Sequence, residues 1–324
     1  MDLVLKPHLT GIVDDVSISM HMVMDIPGLK KGDPLIAINL MYEGVPSQPY
    51  TTANIRVTDD HGRRLPVYTE DSMLDVSIPR RTWFVGHDIC DRVTFNFEAK
   101  PRKVDRHTKV ATRSDLRYEG GGLQGSGSTL LPAPAFNQGQ SRTWKMKLSW
   151  DLADTPTGTR AVWSFGEGPG PVVSYGTSID LIDTIFSVGP LQSYPKPDVK
   201  LQTFAMYWIG DLPQNIAALQ KDQEATFAAM SVFCNDPPSP ANPYRIFVRN
   251  AAPASGYGGS SFTRSYMLEY DGRIDSIDEE DLVSLLTHEM AHNWLRMGKR
   301  VGASGDEAAN DEGSWYTEGI MISA

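Results

Sequence analysis

The segment that decides the C-terminal architecture reads Thr287-His288-Glu289-Met290-Ala291-His292-Asn293-Trp294. It closes a stretch in which apolar residues recur at helical spacing, so we predict a single helix from Asp278 to Trp294. Residues four apart on a helix differ by about 40° in azimuth, and His288 and His292 therefore project side by side. Two imidazoles arranged in this way can hold one metal ion.

Glu289 lies between the two histidines in sequence but about 100° from His288 around the helix axis. A carboxylate in that position lies beside the metal, where a general base is needed. Zinc suits this ligand set and lowers the pKa of a bound water towards about 7. The alternative is a structural helix with two hydrogen-bonded histidines, but burying these polar groups without a cation would cost several kcal/mol. We therefore predict one Zn²⁺ per chain.

A catalytic zinc site of this type needs a third protein ligand. The downstream acidic candidates are Asp306, Glu307, Asp311, Glu312 and Glu318. The first four lie in a polar stretch, residues 302–314, where solvation alone accounts for them. Glu318 lies among apolar and aromatic residues that suit a buried second helix, so it is the preferred ligand, with Asp311 or Glu312 as the fallback.

The first 190 residues have a different apolar pattern, of period two. Examples are the segments 16–24 and 144–150, where apolar and polar residues alternate. The glycine-rich stretch 119–128 has no Gly-Lys-Ser or Gly-Lys-Thr ending, so we predict a mobile hairpin rather than a phosphate-binding loop. These patterns predict an all-β, sandwich-like domain over residues 1–194, followed by a linker at the prolines 195 and 197.

A second domain, residues 195–324, mixes helices and strands. We predict a helix from about Asp211 to Phe233, a strand from Tyr244 to Val248 and another from Ser261 to Tyr270. The long helix that follows is expected to start with a capping box formed by Ser276 and Glu279.

Charge and cysteine content limit the classes of partner and compartment. The formal net charge of −10 would repel nucleic acid and anionic membranes at long range, which leaves peptides or small molecules as partners. No signal peptide or membrane-spanning run is visible, so we expect a soluble chain without membrane insertion, and its compartment stays open. Cys90 and Cys234 are too few for a disulfide framework, and we interpret both as buried thiols, with a single bridge as the alternative.

The string His-Glu-Met-Ala-His-Asn-Trp, followed by Trp315-Tyr316-Thr317-Glu318-Gly319, resembles the gluzincin pattern H-E-x-x-H-x-W with a later W-x-x-E-G. The glycyl aminopeptidase family is the most similar, and the aminopeptidase N family is its nearest competitor. This resemblance implies a thermolysin-like metallopeptidase domain after the β-rich one, of which the chain carries only a part. It also implies His288, His292 and Glu318 as zinc ligands, Glu289 as the base, and a peptide or protein substrate.

Both families carry a glycine-led strand whose glutamate binds the α-amino group of the substrate, and this chain has Gly258-Gly259-Ser260-Ser261 at the corresponding position. We expect these four residues to bind substrate through the backbone. The missing acid leaves aminopeptidase and endopeptidase activity both open. A zinc-stabilised binding module without catalysis is the alternative from a different class, and hydrolysis of a non-peptide bond is a third.

Overall fold

The computed structural model describes residues 1–26, 28–42, 44–75, 78–89, 91–108, 113–136, 142–197, 202–251 and 257–294. Strands dominate the first 190 residues. They are β1 Asp2–His8, β2 Ser17–Asp25, β3 Pro34–Asn39, β4 Met41–Tyr42, β5 Val45–Pro46, β6 Arg56–Asp59, β7 Val67–Asp75, β8 Ile78–Val85, β9 Arg92–Ala99, β10 Arg117–Glu119, β11 Gly122–Ser126, β12 Ala133–Pro134, β13 Trp144–Trp150, β14 Arg160–Trp163, β15 Gly166–Glu167, β16 Val172–Gly176 and β17 Ile185–Gly189. Two short helices accompany them, α1 Gly127–Leu130 and α2 Ser178–Ile182, with a 3-10 turn at Val13–Asp15.

These strands form three main sheets. A six-stranded sheet has the order β16-β13-β1-β2-β9-β6, a four-stranded sheet the order β12-β3-β8-β7 and a five-stranded sheet the order β10-β11-β17-β14-β15; β4 and β5 form a separate pair. All pairs are antiparallel except β1 with β13. One apolar core contains the inward residues of these sheets, including Met20, Met22, Phe95, Trp144 and Trp163. The prediction of a β-rich N-terminal part is confirmed.

Over its described residues, which end at 294, the C-terminal part combines one mixed sheet with three helices. Its elements are β18 Leu191–Tyr194, β19 Phe204–Ile209, α3 Gln214–Ala218, α4 Gln220–Phe233, β20 Tyr244–Asn250, β21 Gly258–Phe262, β22 Ser265–Tyr270, a 3-10 turn at Ile274–Ser276 and α5 Glu279–Ala291. The sheet order is β18-β19-β20-β22-β21, with β19, β20 and β22 parallel to one another. The thermolysin-like character of this part and the domain division at residue 194 stay predictions. Strand β18, which ends at that division, pairs with β19.

Both faces of this sheet are buried, because its central strands carry apolar residues on both sides. Successive side chains of a strand point to opposite faces. On one face Met206, Ile246 and Leu268 pack against the helices. Leu282 and Leu286 of α5 belong to the same apolar cluster. On the other face the alternating residues Ala205, Phe247 and Met267 pack against Val162 and Ile185 of the N-terminal sheets. The C-terminal sheet therefore lies between the helices and the N-terminal part.

Several local predictions were wrong in detail. The helix expected from Asp211 to Phe233 is two helices, α3 and α4, that meet at Leu219. The strand expected from Ser261 to Tyr270 is a hairpin of β21 and β22 with Thr263 and Arg264 in its turn, and Arg264 has a left-handed φ of 56°. Apolar spacing alone marked neither break.

Cysteine burial, helix capping and the glycine-rich hairpin also differ from expectation. Cys234 is exposed rather than buried, and Cys90 lies outside the described residues. The cap of α5 is Asp278, whose carboxylate accepts the backbone N–H of Asp281 (2.9 Å), rather than the predicted pair Ser276 and Glu279. The glycine-rich stretch does form a hairpin, β10–β11, but β11 is fully buried and pairs with β17.

Among the described helices, none is both long and apolar enough to cross a membrane.

Candidate active site

Helix α5 carries the two histidines at its C-terminal end. Leu282, Leu286 and Met290 recur every four residues and are completely buried against the sheet, which fixes the rotation of the helix. Acidic residues fill its first turn, where the helix dipole favours negative charge. With this rotation fixed, Glu289 and His292 are buried and His288 is partly exposed.

The imidazoles of His288 and His292 converge. Their Nε2 atoms are 3.2 Å apart, and the ring planes are nearly perpendicular, at 88°. Two nitrogens bound to one tetrahedral zinc at about 2.0–2.1 Å are separated by about 3.3–3.4 Å. The chemistry and spacing of these two donors therefore fit zinc. No third His, Cys, Asp or Glu joins them among the residues that the structure describes.

Glu318 and its fallbacks Asp311 and Glu312 lie outside the described residues, as does Tyr316. Their assignment therefore stays a prediction. Tyr266 carries a phenol that could by residue type stabilise an oxyanion, but it is completely buried and donates its hydroxyl to Gln223 Oε1 (3.1 Å). This residue packs in the core beneath the site.

Glu289 lies directly against strand β21. A Cβ atom placed on Gly259 would overlap Cγ, Cδ and Oε1 of Glu289, so only glycine allows this approach. The charge of the same carboxylate acts on two buried tyrosines. Burial and then the charge of Glu289 raise the pKa of Tyr244 well above its ordinary value, and burial, Tyr244 and Glu289 do so for Tyr266. Both phenols therefore stay neutral next to the site.

Trp294, the last residue of the histidine-containing segment, is held by a hydrogen bond to an ion-paired carboxylate and by an aromatic stack. Trp294 donates its indole N–H to Asp236 Oδ2 (3.0 Å), and the same oxygen accepts from Nη1 of Arg264 (2.6 Å). The indole also stacks on Phe227, with ring centroids 6.0 Å apart. These contacts tie the end of α5 to helix α4 and to the β21–β22 turn, close to the two histidines.

The predicted substrate-binding residues 258–261 form most of β21, the last strand of the sheet in the order given above. Its side facing away from β22 is called here the outer edge of β21. Arg113, from the N-terminal part, contacts this edge. Its guanidinium donates to the carbonyls of Gly259 (3.3 Å) and Tyr257 (3.0 Å), and its backbone N–H donates to Ser260 Oγ (3.0 Å).

Four charged residues below Arg113 join the two parts of the chain, and we call them the buried ion cluster: Asp115, Arg117, Arg249 and Glu269. Arg249 donates to Asp115 Oδ1 and to Glu269 Oε2, both at 2.6 Å. Arg117 donates to Asp115 Oδ2 (3.0 Å) and to Glu269 Oε1 (3.4 Å). All four residues are at most 4% exposed, and Arg102 donates to Asp115 Oδ2 (3.2 Å) from the margin of the cluster.

Electrostatics within the buried ion cluster favours the charged forms. Burial alone would raise the pKa of Asp115, but Arg249 and Arg117 outweigh it and lower that pKa to about 2. The neighbouring Glu119 shows the opposite balance, because burial outweighs the same two arginines and raises its pKa to about 7. Sequence reasoning missed the cluster. Its signal was a charge inside each apolar strand, Arg249 in β20 and Glu269 in β22.

No protein-family model matches this sequence, and a search of curated proteins finds no match. Solved structures with the same fold do exist. An aminopeptidase N family protein from Idiomarina loihiensis superposes with a TM-score of 0.63 at 13% identity, covering 99% of this chain and 52% of that one. A native yeast LTA4 hydrolase gives 0.52 at 13% identity, with 99% and 48% covered.

A mutant M1 zinc metallopeptidase from Deinococcus radiodurans, bound to a Tyr-Ser-Ala substrate, gives a TM-score of 0.50 at 13% identity and covers 91% of this chain and 63% of its own. The chain therefore spans about half to three fifths of the length of these proteins. Their likeness shows that this chain shares the fold of the matching parts of these structures, in agreement with the gluzincin resemblance of the sequence.

Proposed function

We propose that this chain is part of a zinc-dependent metallopeptidase that hydrolyses peptide bonds. The observation that carries the proposal is the convergence of the His288 and His292 Nε2 atoms at 3.2 Å next to a buried glutamate. The proposed zinc ligands are His288, His292 and Glu318, with one ion per chain. The proposal includes a thermolysin-like catalytic domain over residues 195–324, preceded by a β-rich domain over residues 1–194. The fold likeness to M1 zinc metallopeptidases supports the reaction class.

Zinc, when bound, would polarise the scissile carbonyl and acidify a water molecule. The chain's own residues would do the rest. The carboxylate of Glu289 would accept the proton of the attacking water and pass it to the amide nitrogen as the C–N bond breaks. Its position against Gly259 puts that carboxylate beside any peptide lying along β21.

Residues 258–261 would hold such a peptide by backbone hydrogen bonds at the outer edge of β21. They carry only glycines and serines, and thus no charge for a substrate ammonium group. This composition favours neither aminopeptidase nor endopeptidase action. It also keeps open the second candidate, a zinc-stabilised peptide-binding module without catalysis.

Two substitutions and one substrate pair test the proposal. Glu289→Gln should retain about one zinc per chain and lose activity by about 10²–10⁴-fold, the usual contribution of general acid–base catalysis. His292→Ala should lose zinc and activity together. Zinc is measured by elemental analysis after dialysis, and cleavage is followed on peptides with free and blocked N-termini, with and without chelator.

Each outcome has one meaning. Cleavage of N-terminally blocked peptides shows that no free amino group is needed, and cleavage of free peptides alone identifies an aminopeptidase. Zinc binding without cleavage of either favours the binding module. Undiminished hydrolysis by metal-free protein contradicts the proposed function.

A further inference from the structure

The carbonyls that Arg113 contacts belong to alternate residues, Tyr257 and Gly259. Backbone groups of alternate strand residues point to the same side, and the contacts come from a side chain outside the sheet. Both carbonyls therefore belong to the outer edge of β21. An extended peptide adding to this edge would use the same groups, so the guanidinium covers the Gly259 end of the binding strand.

Two residues that follow Arg113 in the chain hold it in position. Asp115 and Arg117 follow it in the chain and bind Arg249 and Glu269 in the buried ion cluster. Glu269 pairs with Gly258 across the β21–β22 ladder. A Cβ atom on Gly258 would come within 2.7 Å of Arg113 Nη2, so the strand and the guanidinium are in close contact. Arg113 is thus held at the strand rather than extended into solvent.

The positive charge of Arg113 determines which end of a peptide can lie against it. A guanidinium stays protonated at any physiological pH, so it repels a terminal ammonium and attracts a terminal carboxylate. Charge-assisted hydrogen bonds are about twice as strong as neutral ones. A carboxylate can therefore replace the Gly259 carbonyl, whose bond to Nη1 is long at 3.3 Å. A peptide bound this way runs antiparallel to β21.

We propose that Arg113 binds the C-terminal carboxylate of a short peptide substrate, and so determines both its direction on β21 and its length. Glu289 and Arg113 both contact Gly259. Arg113 also reaches the carbonyl of Tyr257, two residues before Gly259, so at about 3.4 Å of strand per residue the carboxylate would lie one or two residues beyond the bond next to Glu289. This inference rests on the proposed peptidase function and adds a substrate class to it: peptides cleaved near a free C-terminus.

The test measures peptide affinity without turnover. Zinc-loaded full-length chain carrying Glu289→Gln is titrated with two N-acetylated tetra-alanine peptides, one ending in a free carboxylate and one in an amide. We expect the acid to bind about tenfold more tightly, as one charge-assisted hydrogen bond allows. Adding Arg113→Met should abolish this preference, because it weakens binding of the peptide with the free carboxylate and leaves binding of the amide unchanged. Arg113→Lys should retain part of the preference.

Arg106→Met is the matched control, because Arg106 is an exposed arginine on the preceding turn, and it should keep the tenfold preference. Equal affinity for acid and amide in the Glu289→Gln parent overturns the inference, as does a preference that survives Arg113→Met or the absence of any peptide binding. The parent comparison and Arg113→Lys decide the matter even when Arg113→Met fails to fold. Zinc content is measured on every sample, so loss of metal, which contradicts the proposed function, is separated from loss of carboxylate preference.

Discussion

Replacing Gly259 by alanine tests the contact between strand β21 and Glu289 directly. The added methyl group would overlap three atoms of the Glu289 side chain, and carbon atoms in ordinary contact are about 3.5–4.0 Å apart. Relief requires a displacement of about 1 Å by the glutamate or by the strand. Both are held, the first by the buried helix α5 and the second by its pairing with β22.

The displacement sets the expected magnitudes. Overpacking of this kind costs about 1–3 kcal/mol of unfolding free energy. A catalytic group misplaced by about 1 Å costs on the order of 10²-fold in rate. Neither histidine takes part in the overlap, so zinc binding should be unchanged. The variant is thus expected to bind one metal ion, unfold more easily and hydrolyse peptides about 100-fold more slowly.

The assay combines urea unfolding, zinc analysis and the rate on the best peptide. Gly272→Ala is the matched control, because a Cβ atom at Gly272 meets no atom within 4 Å. That control should stay within about 0.5 kcal/mol of the parent and retain its rate. Equal behaviour of the two variants would refute the placement of Glu289 against the strand.

Two further predictions concern the buried ion cluster and its surroundings. Arg249→Met leaves Asp115 and Glu269 without their shortest ion pairs and should cost about 3–5 kcal/mol of unfolding free energy, measured with urea. Arg273→Met, which removes a solvent-screened ion pair with Asp271, should shift the urea midpoint far less, and similar shifts of the two variants would argue against the cluster. Burial raises the pKa of Glu119 from 4.5 to about 7, so its contribution to stability is complete below pH 4.5 and is lost as pH rises through 7. Glu119→Gln should therefore reduce the fall in Tm between pH 5 and pH 8, and an unchanged fall would contradict the assigned pKa.

Local patterns predicted much of the fold because they depend on neighbours in sequence. Period-two alternation marked β2 and β13, and helical spacing marked α5 to within a few residues. The side-by-side arrangement of His288 and His292 follows from helix geometry alone. Local patterns predicted a strand only from Ser261 onwards, whereas β21 begins at Gly258.

Contacts between distant segments could not be predicted in this way. Arg113 and Gly259 are 146 positions apart, and nothing around Arg113 in sequence distinguishes it from a surface arginine. Arg249 and Glu269 did interrupt apolar strands, but their partners in the N-terminal part become evident only from the structure. The split of the helix at Leu219 and the exposure of Cys234 likewise depend on what packs nearby.

The buried ion cluster also constrains the order in which the molecule can assemble. Its members Asp115 and Arg249 are 134 positions apart in sequence, and Arg117 and Glu269 are 152 apart. During synthesis the N-terminal strands leave the ribosome first and can bring Asp115 and Arg117 together, and Arg249 and Glu269 join this pair only when β20 and β22 arrive. His288 and His292 follow β20, β21 and β22 in the chain, so the two histidines leave the ribosome only after every member of the buried ion cluster has been made.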